Sequence, residues 1–208
     1  MRILAFSDLH GDEYALQALQ KVSGQYDRVF ICGDISSTNV FAEAVLKAFP
    51  GAFIIPGNRE DERLNSLILS QPGCVQERRV EIEDGLNVVG FGYSNHTPFG
   101  TYGELSEEEI YSRMSKLPID GNTILMLHCP PKGHFDDVGK GFHAGSESVL
   151  RIIEDKKPFA AFFGHIHEHA GVDHISLTTL VKIPAANTMK ACAVTITNKN
   201  INAVIITL

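Results

Sequence analysis

The chain has 208 residues, of which 44% are hydrophobic and 21% charged, a composition close to the globular average. A chain of this length and composition can bury most of its apolar surface in one core, which excludes a disordered protein and predicts a single domain over residues 1–208. Its 18 basic and 25 acidic residues give a formal net charge of −7, which argues against a broad basic surface for nucleic acid. A small anionic substrate remains possible if metal ions supply local positive charge.

No part of the sequence approaches the roughly 18 consecutive apolar residues of a membrane span, and the chain opens with a strand-like apolar run rather than a leader pattern. We therefore expect a cytoplasmic protein without a membrane partner. The four cysteines form no C-x-x-C pair and predict reduced, mostly buried thiols at Cys32, Cys74, Cys129 and Cys192. The nine histidines are an unusually high number, which raises the question of whether several share a site.

Short apolar runs rich in β-branched or aromatic residues predict six buried strands, at residues 3–6, 28–32, 52–55, 88–91, 123–127 and 160–163. Helical spacing of apolar residues predicts helices between them, around residues 15–22, 41–48, 64–68 and 149–153. Ser106 and Glu109 form a capping-box pattern that predicts a further helix through Lys116, ended by Pro118. The alternation of strands and helices favours an α/β layered fold.

From about Val172 onward the pattern predicts strands alone, at residues 180–183, 191–197 and 201–207. The last two are joined through residues 198–200 as a hairpin. We therefore expect the C-terminal part of the chain to add antiparallel strands to the core.

Polar clusters follow the predicted strands, at the ends where open α/β sheets place their ligand sites. In chain order they are Asp8-Leu9-His10, Gly33-Asp34, Gly57-Asn58-Arg59-Glu60, His128 and Gly164-His165-Ile166-His167. The three glycines predict tight turns that need permissive backbone angles. The oxygen and imidazole donors suit Mn, Fe, Zn, Ni or Co and are poor for a calcium cage.

This ordered set resembles the calcineurin-like metallophosphoesterase family, whose pattern is D-x-H, G-D, G-N-H-[D/E], H and G-H-x-H, and in particular its small single-domain prokaryotic members. The resemblance implies an α/β fold of four layers, with two packed mixed β-sheets flanked by helices. It also implies two divalent metal ions, with manganese as the first choice. One ion would be held by Asp8, His10 and His167, the other by Asn58, His128 and His165, with Asp34 bridging both.

Two divalent ions about 3.5 to 4 Å apart can hold a phosphate ester and lower the pKa of a bridging water enough to give hydroxide near neutral pH. The expected activity is therefore hydrolysis of a small phosphate ester by a hydroxide that bridges the two ions. Besides the metal ligands, the residues expected to act directly in this reaction are Asp34, Asn58 and Arg59.

One position departs from the family pattern, because Arg59 stands where the family usually has the histidine thought to protonate the leaving oxygen. Arginine stays charged at neutral pH and cannot act as a general acid, although its guanidinium can bind a phosphoryl oxygen. We expect Glu60 to fix the direction of Arg59 and a phosphodiester to be preferred over a monoester. His134 and His143 follow ligand His128 in a glycine-rich stretch and are candidates for contact with the substrate, whereas His96, His169 and His174 are expected at the surface.

Two alternatives stay open at this stage. A protein-interaction scaffold that keeps the fold without catalysis would explain the missing histidine, but the otherwise complete ligand set speaks against it. A nuclease is less favoured, because the chain has neither a basic patch nor the length for an additional DNA-binding domain.

Overall fold

The computed structural model describes all 208 residues and contains five α-helices and thirteen β-strands. The helices are α1 (Glu13–Ser23), α2 (Asn39–Ala48), α3 (Glu62–Leu69), α4 (Glu107–Met114) and α5 (Glu147–Lys156). The first seven strands are β1 (Arg2–Phe6), β2 (Arg28–Cys32), β3 (Phe53–Ile55), β4 (Arg79–Glu81), β5 (Asn87–Phe91), β6 (Ser94–Asn95) and β7 (Glu104–Leu105). The other six are β8 (Thr123–Leu127), β9 (Ala160–Phe163), β10 (Gly171–Ile175), β11 (Thr178–Lys182), β12 (Lys190–Thr197) and β13 (Asn200–Thr207).

The strands form two large mixed sheets and one short pair, β6 with β7. The first sheet has the order β13-β12-β1-β2-β3. Its strands β1, β2 and β3 run parallel to one another, β12 runs antiparallel to β1, and β13 runs antiparallel to β12. The second has the order β10-β11-β9-β8-β5-β4, with four parallel central strands and an antiparallel strand at each edge. The α/β fold with two mixed sheets flanked by helices is therefore confirmed.

The inner faces of the two sheets pack against each other, which explains why the central strands are apolar on both sides. Phe30 of the first sheet packs edge to face against Phe162 of the second, with ring centroids 5.6 Å apart. The side chains of neighbouring β1 residues point to opposite faces of the sheet. Ile3 points into this inner core, whereas Leu4 points to the helices on the other face. Helices α1, α2 and α3 cover the first sheet, and α4 and α5 cover the second, giving four layers.

All six predicted strands and the C-terminal hairpin are present, but two expectations need correction and four strands were not predicted. The strand predicted at 180–183 lies at Thr178–Lys182 and pairs parallel with β9, so only β12 and β13 join the core as the expected antiparallel strands. The helix that begins after Ser106 ends at Met114, two residues before the predicted Lys116. Strands β4, β6, β7 and β10 were not predicted. β4 and β10 lie at sheet edges and lack the buried apolar run of the central strands, and β6 and β7 have only two residues each.

The parallel strands of both sheets end at one edge of the molecule, and each predicted polar cluster follows one of these ends. Two backbone hydrogen bonds join neighbouring clusters: Asp8 N donates to Gly33 O over 3.1 Å, and Gly164 N donates to His128 O over 3.0 Å. The amide of Ala186, which follows the second sheet, donates to Ser7 O of the first over 2.8 Å. The topology therefore brings residues from far apart in the chain to one place. None of the helices has the length and apolar character needed to span a membrane.

Candidate metal centre

The predicted ligands meet at this edge in two overlapping groups. Ligand atoms of Asp8, His10 and His167 lie within 4.8 Å of one another, and those of Asp8, Asp34 and His128 form a second such group. Asp8 belongs to both groups, whereas the resemblance implies that Asp34 alone is shared. The first group matches one implied ligand set completely.

The Asp34 carboxylate lies between histidines of the two groups. Its Oδ2 is 4.0 Å from Nε2 of His10, and its Oδ1 is 3.5 Å from Nε2 of His128. Each oxygen of one carboxylate therefore faces a different imidazole, which is the arrangement that a bridging ligand requires. Burial and the nearby Asp8 carboxylate raise the pKa of Asp34 to about 7.

Two hydrogen-bond acceptors face each other at His128 and Asn58. Nδ1 of His128 lies 2.8 Å from the carbonyl oxygen of Cys32, which can only accept, so we assign the ring proton to Nδ1. In the neutral ring, the Nε2 lone pair then points to Asn58 Oδ1, 2.9 Å away. Two acceptors at this distance repel each other, and a cation bound by both atoms would remove the repulsion.

Asp8 provides a second sign that a cation belongs here. The side chain is fully buried, and its Oδ2 accepts a hydrogen bond of 2.9 Å from the backbone N–H of His165. Its Oδ1 is buried without any hydrogen-bond partner, 3.3 Å from Nε2 of His167. A buried carboxylate oxygen without a donor is costly. The donor chemistry and these unpaired atoms fit divalent cations.

Burial keeps two of the predicted histidine ligands neutral, the form in which imidazole binds a metal. It lowers the pKa of His10 to about 4 and the pKa of His165 to about 3. The His165 ring packs edge to face on the His128 ring, with centroids 4.9 Å apart. His165 therefore lies beside the second group, as the ligand set implied by the resemblance requires.

Four of the predicted ligands adopt a left-handed backbone conformation, which non-glycine residues rarely do. Their φ angles are 56° for Asp8, 49° for His10, 54° for Asp34 and 71° for His165. Such conformations persist only where the surrounding structure enforces them, and they cluster at functional sites. The backbone is bent at these positions so that the side chains converge.

The three glycines of the motifs serve two different purposes. Gly33 has a φ of +88° and meets the expectation of a permissive turn. Gly57 and Gly164 do not have positive φ; a Cβ on Gly57 would lie 2.1 Å from Asp34 Oδ1, and one on Gly164 would lie 2.1 Å from Ser7 Oγ. At these two positions the expected reason is wrong, because glycine is needed for close approach of the neighbouring loop.

Lys182 is a charged residue near the centre that the sequence analysis missed. It is fully buried in β11, and its Nζ donates to the carbonyl oxygen of Ile183 over 2.9 Å. Burial lowers the pKa of Lys182 to about 8. The pKa of Asp8 lies below its usual range despite burial, chiefly because of the neighbouring His167, and the charge of Lys182 contributes to this lowering. A lysine inside the apolar run Leu180-Val181-Lys182-Ile183 was the signal available in the sequence.

Arg59 and Glu60 point in different directions, so the expectation that Glu60 orients Arg59 is wrong. The buried Glu60 carboxylate accepts hydrogen bonds from the backbone N–H groups of Ile35, over 2.6 Å, and Gly57, over 2.7 Å. It therefore holds two motif loops together from beneath. The backbone N–H of Arg59 donates to Asp34 Oδ1 over 3.0 Å, while its exposed guanidinium makes no hydrogen bond or salt bridge and faces a cavity.

The cavity has a volume of about 900 Å³. Five predicted ligands line one end of it: His10, Asp34, Asn58, His165 and His167. Arg59 and His143 also line the cavity, and so does His96, which the sequence analysis placed simply at the surface. His134 is not part of the cavity wall.

The two histidines of the glycine-rich stretch each pair with a carboxylate. Nδ1 of His143 lies 2.7 Å from Oδ1 of the buried Asp136, a hydrogen bond that raises the pKa of His143. Nδ1 of His134 lies 2.7 Å from Oδ2 of Asp173 in the edge strand β10. Of the two candidates for contact with substrate, only His143 therefore lies where a ligand in the cavity would meet it.

A hydrogen-bonded chain fixes the orientation of the Asn58 amide. Asn58 Nδ2 donates to Thr101 Oγ1 over 2.6 Å, and the Thr101 hydroxyl donates to Glu104 Oε1 over 2.7 Å. Because the amide nitrogen is engaged on this side, Asn58 Oδ1 is turned towards His128. Thr101 and Glu104 were not among the predicted site residues, since both lie outside the motifs and act through a loop conformation that the sequence pattern does not specify.

This two-sheet α/β fold, with an imidazole and carboxylate cluster where the strands end, has the architecture expected of the phosphoesterase class. A family model described as calcineurin-like phosphoesterase matches residues 1–169, and the chain belongs to that family. The chain is similar to an uncharacterised protein of Methanocaldococcus jannaschii, at 33% identity over 196 residues that cover 87% of each protein.

Two further proteins are similar to this chain. A Coxiella burnetii protein named as a probable cyclic nucleotide phosphodiesterase is 28% identical over 159 residues, 70% of this chain and 62% of the relative. The crystal structure of a dimetal phosphatase from Danio rerio superposes with a TM-score of 0.61 at 10% identity, covering 100% of this chain and 98% of that one. At that identity the structural match establishes the shared fold alone.

The orientation of Asn58 can be tested by substitution of Thr101. Thr101→Val keeps the side-chain shape but removes the acceptor for the Asn58 amide nitrogen, so we expect the affinity for Mn²⁺ to fall about tenfold, as when other residues that orient metal ligands are lost. Calorimetric titration with Mn²⁺ measures this change. Thr101→Ser keeps the hydroxyl and should bind Mn²⁺ as the unsubstituted protein does. Equal affinities for the Val and Ser variants would show that Thr101 does not orient Asn58.

Proposed function

We propose that this protein is a metal-dependent phosphoesterase that hydrolyses a small phosphate ester, and a phosphodiester in preference to a monoester. The observation that carries the proposal is the position of Asp34, whose two oxygens face imidazoles of two different donor groups. The proposed ligands of two divalent ions, preferably manganese, are Asp8, His10, Asp34, Asn58, His128, His165 and His167. When bound, these ions would hold phosphate oxygens and lower the pKa of a water, so that hydroxide forms near neutral pH.

Arg59 supplies the fixed positive charge of the proposed site. Its guanidinium makes no hydrogen bond or salt bridge within the protein and lines the same cavity as the candidate ligands, so it is free to bind a phosphoryl oxygen. It cannot give a proton to the leaving oxygen at neutral pH. This supports a diester over a monoester. A diester carries less negative charge than a monoester, and the one negative charge on its phosphoryl group suits a single arginine.

His143 is the proposed proton donor. Asp136 engages Nδ1 of His143, which leaves Nε2 as the ring nitrogen available to a ligand in the cavity. The hydrogen bond and the negative charge of Asp136 raise the pKa of His143, so a larger fraction of the ring is protonated near neutral pH. The Asp136–His143 pair would thus take the role of the histidine that the family usually has at the position of Arg59.

The similar proteins support the same reading. The name of the Coxiella burnetii relative favours diester hydrolysis, and that of the Danio rerio structure favours two metal ions. The organisation as one domain over residues 1–208, the cytoplasmic location and the absence of a nucleic-acid partner stay predictions from the sequence.

The proposal predicts metal-dependent hydrolysis of bis(4-nitrophenyl) phosphate faster than that of 4-nitrophenyl phosphate. Both rates should vanish after chelation and return with Mn²⁺. Asp34→Asn should bind fewer ions and lose hydrolysis of both esters by at least about a hundredfold, because the amide has one oxygen to offer where two are required. The measurements are release of 4-nitrophenolate and metal content by mass spectrometry.

Asp155→Asn is the matched control. It removes the same charge from an exposed residue of α5 that lies outside the motifs, so the rates should stay unchanged. Full activity of Asp34→Asn with two bound ions would contradict the proposal. Turnover of neither ester by protein with bound metal would contradict it as well, and would favour the scaffold alternative.

Substitution of Arg59 tests the preference for diesters. Arg59→His restores a proton donor at this position and should raise the ratio of monoesterase to diesterase kcat/KM by about tenfold or more. Arg59→Gln removes the charge without adding a donor and should lower both activities without raising the ratio. An unchanged ratio in the histidine variant would show that Arg59 does not stand where a proton reaches the leaving oxygen.

The proposed role of His143 predicts a specific pH dependence. A proton donor acts in its protonated form, so kcat for a phenyl diester should fall as the pH rises through the pKa of His143. The charged neighbours that set this pKa are Asp136 and Asp137, which raise it, and Lys132, which lowers it. Asp136→Asn removes the main raising interaction and should move the alkaline fall in kcat to lower pH.

Measurement of kcat from pH 5 to pH 10 with phenyl and 4-nitrophenyl diesters checks this expectation. His143→Gln should lose activity mainly towards the phenyl diester, whose leaving group needs the proton more. An alkaline limb that stays in place in both variants would contradict the role of His143.

A further inference from the structure

The cavity is much larger than a phosphate group needs. Its volume of about 900 Å³ is at the upper end of the range for small-molecule sites, and it extends from the candidate metal ligands to two loops. One loop, residues 96–101, carries Phe99, and the other, residues 137–144, carries Phe142; both side chains line the cavity. The space beyond the phosphate position is therefore bounded by two aromatic rings.

These rings are unusual because they are exposed. Phe99 is 76% and Phe142 67% accessible, whereas the aromatic rings of the core, such as Phe30, are fully buried and packed against other rings. Neither Phe99 nor Phe142 makes a ring–ring contact with another aromatic side chain of the protein. Exposed apolar side chains gathered in one cavity mark a binding surface.

The loop that carries Phe99 is held in place by one carboxylate. Glu104 accepts hydrogen bonds from the backbone N–H and hydroxyl groups of both Thr97 and Thr101, over 2.6 to 3.0 Å. The hydroxyl of Thr97 in turn accepts a hydrogen bond of 3.1 Å from the Phe99 amide. The loop is therefore ordered by its own side chains, and these hydrogen bonds hold Phe99 in its exposed position at the cavity.

The loop that carries Phe142 is fixed in a similar way and is tied to the first loop. The buried Asp136 accepts from the backbone N–H of Gly145 over 2.9 Å, and the amide of Phe142 closes a turn onto Gly139 O over 3.1 Å. Asn95 Nδ2, at the end of β6 directly before the first loop, donates to Ala144 O of the second loop over 3.0 Å. The separation of the two aromatic walls is thus set by hydrogen bonds.

We infer that Phe99 and Phe142 bind a planar aromatic ring in the second ester group of the substrate, so that the substrate is a phosphodiester of a ring-bearing alcohol such as a nucleoside. This inference rests on the proposed phosphodiesterase function. A flat ring gains contact with an aromatic face at small entropic cost. The wall around the two rings also contains polar side chains, among them His96 and the ion pair of Lys132 with Glu147, and this polar rim suits the edge of a heterocycle better than an acyl chain.

Two diesters with the same leaving group test the inference. Thymidine 5′-(4-nitrophenyl) phosphate carries a planar base, whereas ethyl 4-nitrophenyl phosphate does not, and both release 4-nitrophenolate. The unsubstituted protein should prefer the thymidine ester, and Phe99→Ala and Phe142→Ala should each lower the ratio of the two kcat/KM values about tenfold through a higher KM.

Further variants separate stacking from simple apolar contact. Phe142→Tyr keeps an aromatic face and should retain the preference, whereas Phe142→Leu should lose most of it. Leu177→Ala removes an equally exposed apolar side chain in the turn between β10 and β11 and should leave the ratio unchanged. An unchanged ratio in both alanine variants, or equal ratios for Leu and Tyr at position 142, would overturn the inference.

Binding measurements keep the inference testable if the protein hydrolyses neither ester, a result that would contradict the proposed function. Calorimetry then compares thymidine 5′-phosphate with ethyl phosphate on the unsubstituted protein and on Phe142→Ala. Tighter binding of the thymidine compound, reduced about tenfold by the substitution, would support the aromatic subsite without catalysis. Equal binding of the two compounds would overturn it.

Discussion

The burial of carboxylates at the meeting point of the two sheets is the constraint on which the site depends. Asp8, Asp34 and Glu60 are all removed from water, and burial raises the pKa values of Asp34 and Glu60 to about 7. Lys182 is the one lysine or arginine side chain buried in the protein. Uncompensated negative charge in a protein interior is strongly unfavourable. The folded arrangement is therefore best explained by positive charge that bound cations bring.

The architecture brings these polar groups together, and the backbone is locally strained as a result. Strands of both sheets end at one edge, and Asp8, His10, Asp34 and His165 adopt left-handed conformations there. Glycine at Gly57 and Gly164 lets the loops approach to distances that any side chain would prevent. The apolar strands and the helices on their outer faces are the rigid part, and the strained loops carry the ligands.

The sequence predicts the parts of this protein that depend on local pattern. The central strands are apolar throughout because both of their faces are buried, and the polar motifs follow directly after them. The sequence pattern alone therefore predicts β1, β2, β3, β8 and β9. The hydrogen bonds of Glu60 to backbone amides and the loop bonds of Glu104 were not predictable. The bonds of Glu104 depend on a loop conformation that the sequence pattern does not specify, and Glu60 also binds Ile35 of a different motif loop. The parallel pairing of β11 with β9 was missed because β10, which lies between them in the chain, was not predicted. β11 forms a hairpin with β10 along one edge and pairs with β9 along the other.

The most direct test of this account is electron paramagnetic resonance of the protein titrated with Mn²⁺. If Asp34 bridges two ions, the protein should bind two Mn²⁺ per chain, and the spectrum should show an exchange-coupled pair that changes to isolated Mn²⁺ signals in Asp34→Asn. Binding of a single ion, or of two ions whose spectrum is the sum of isolated signals, would contradict the dinuclear centre on which the proposed function rests.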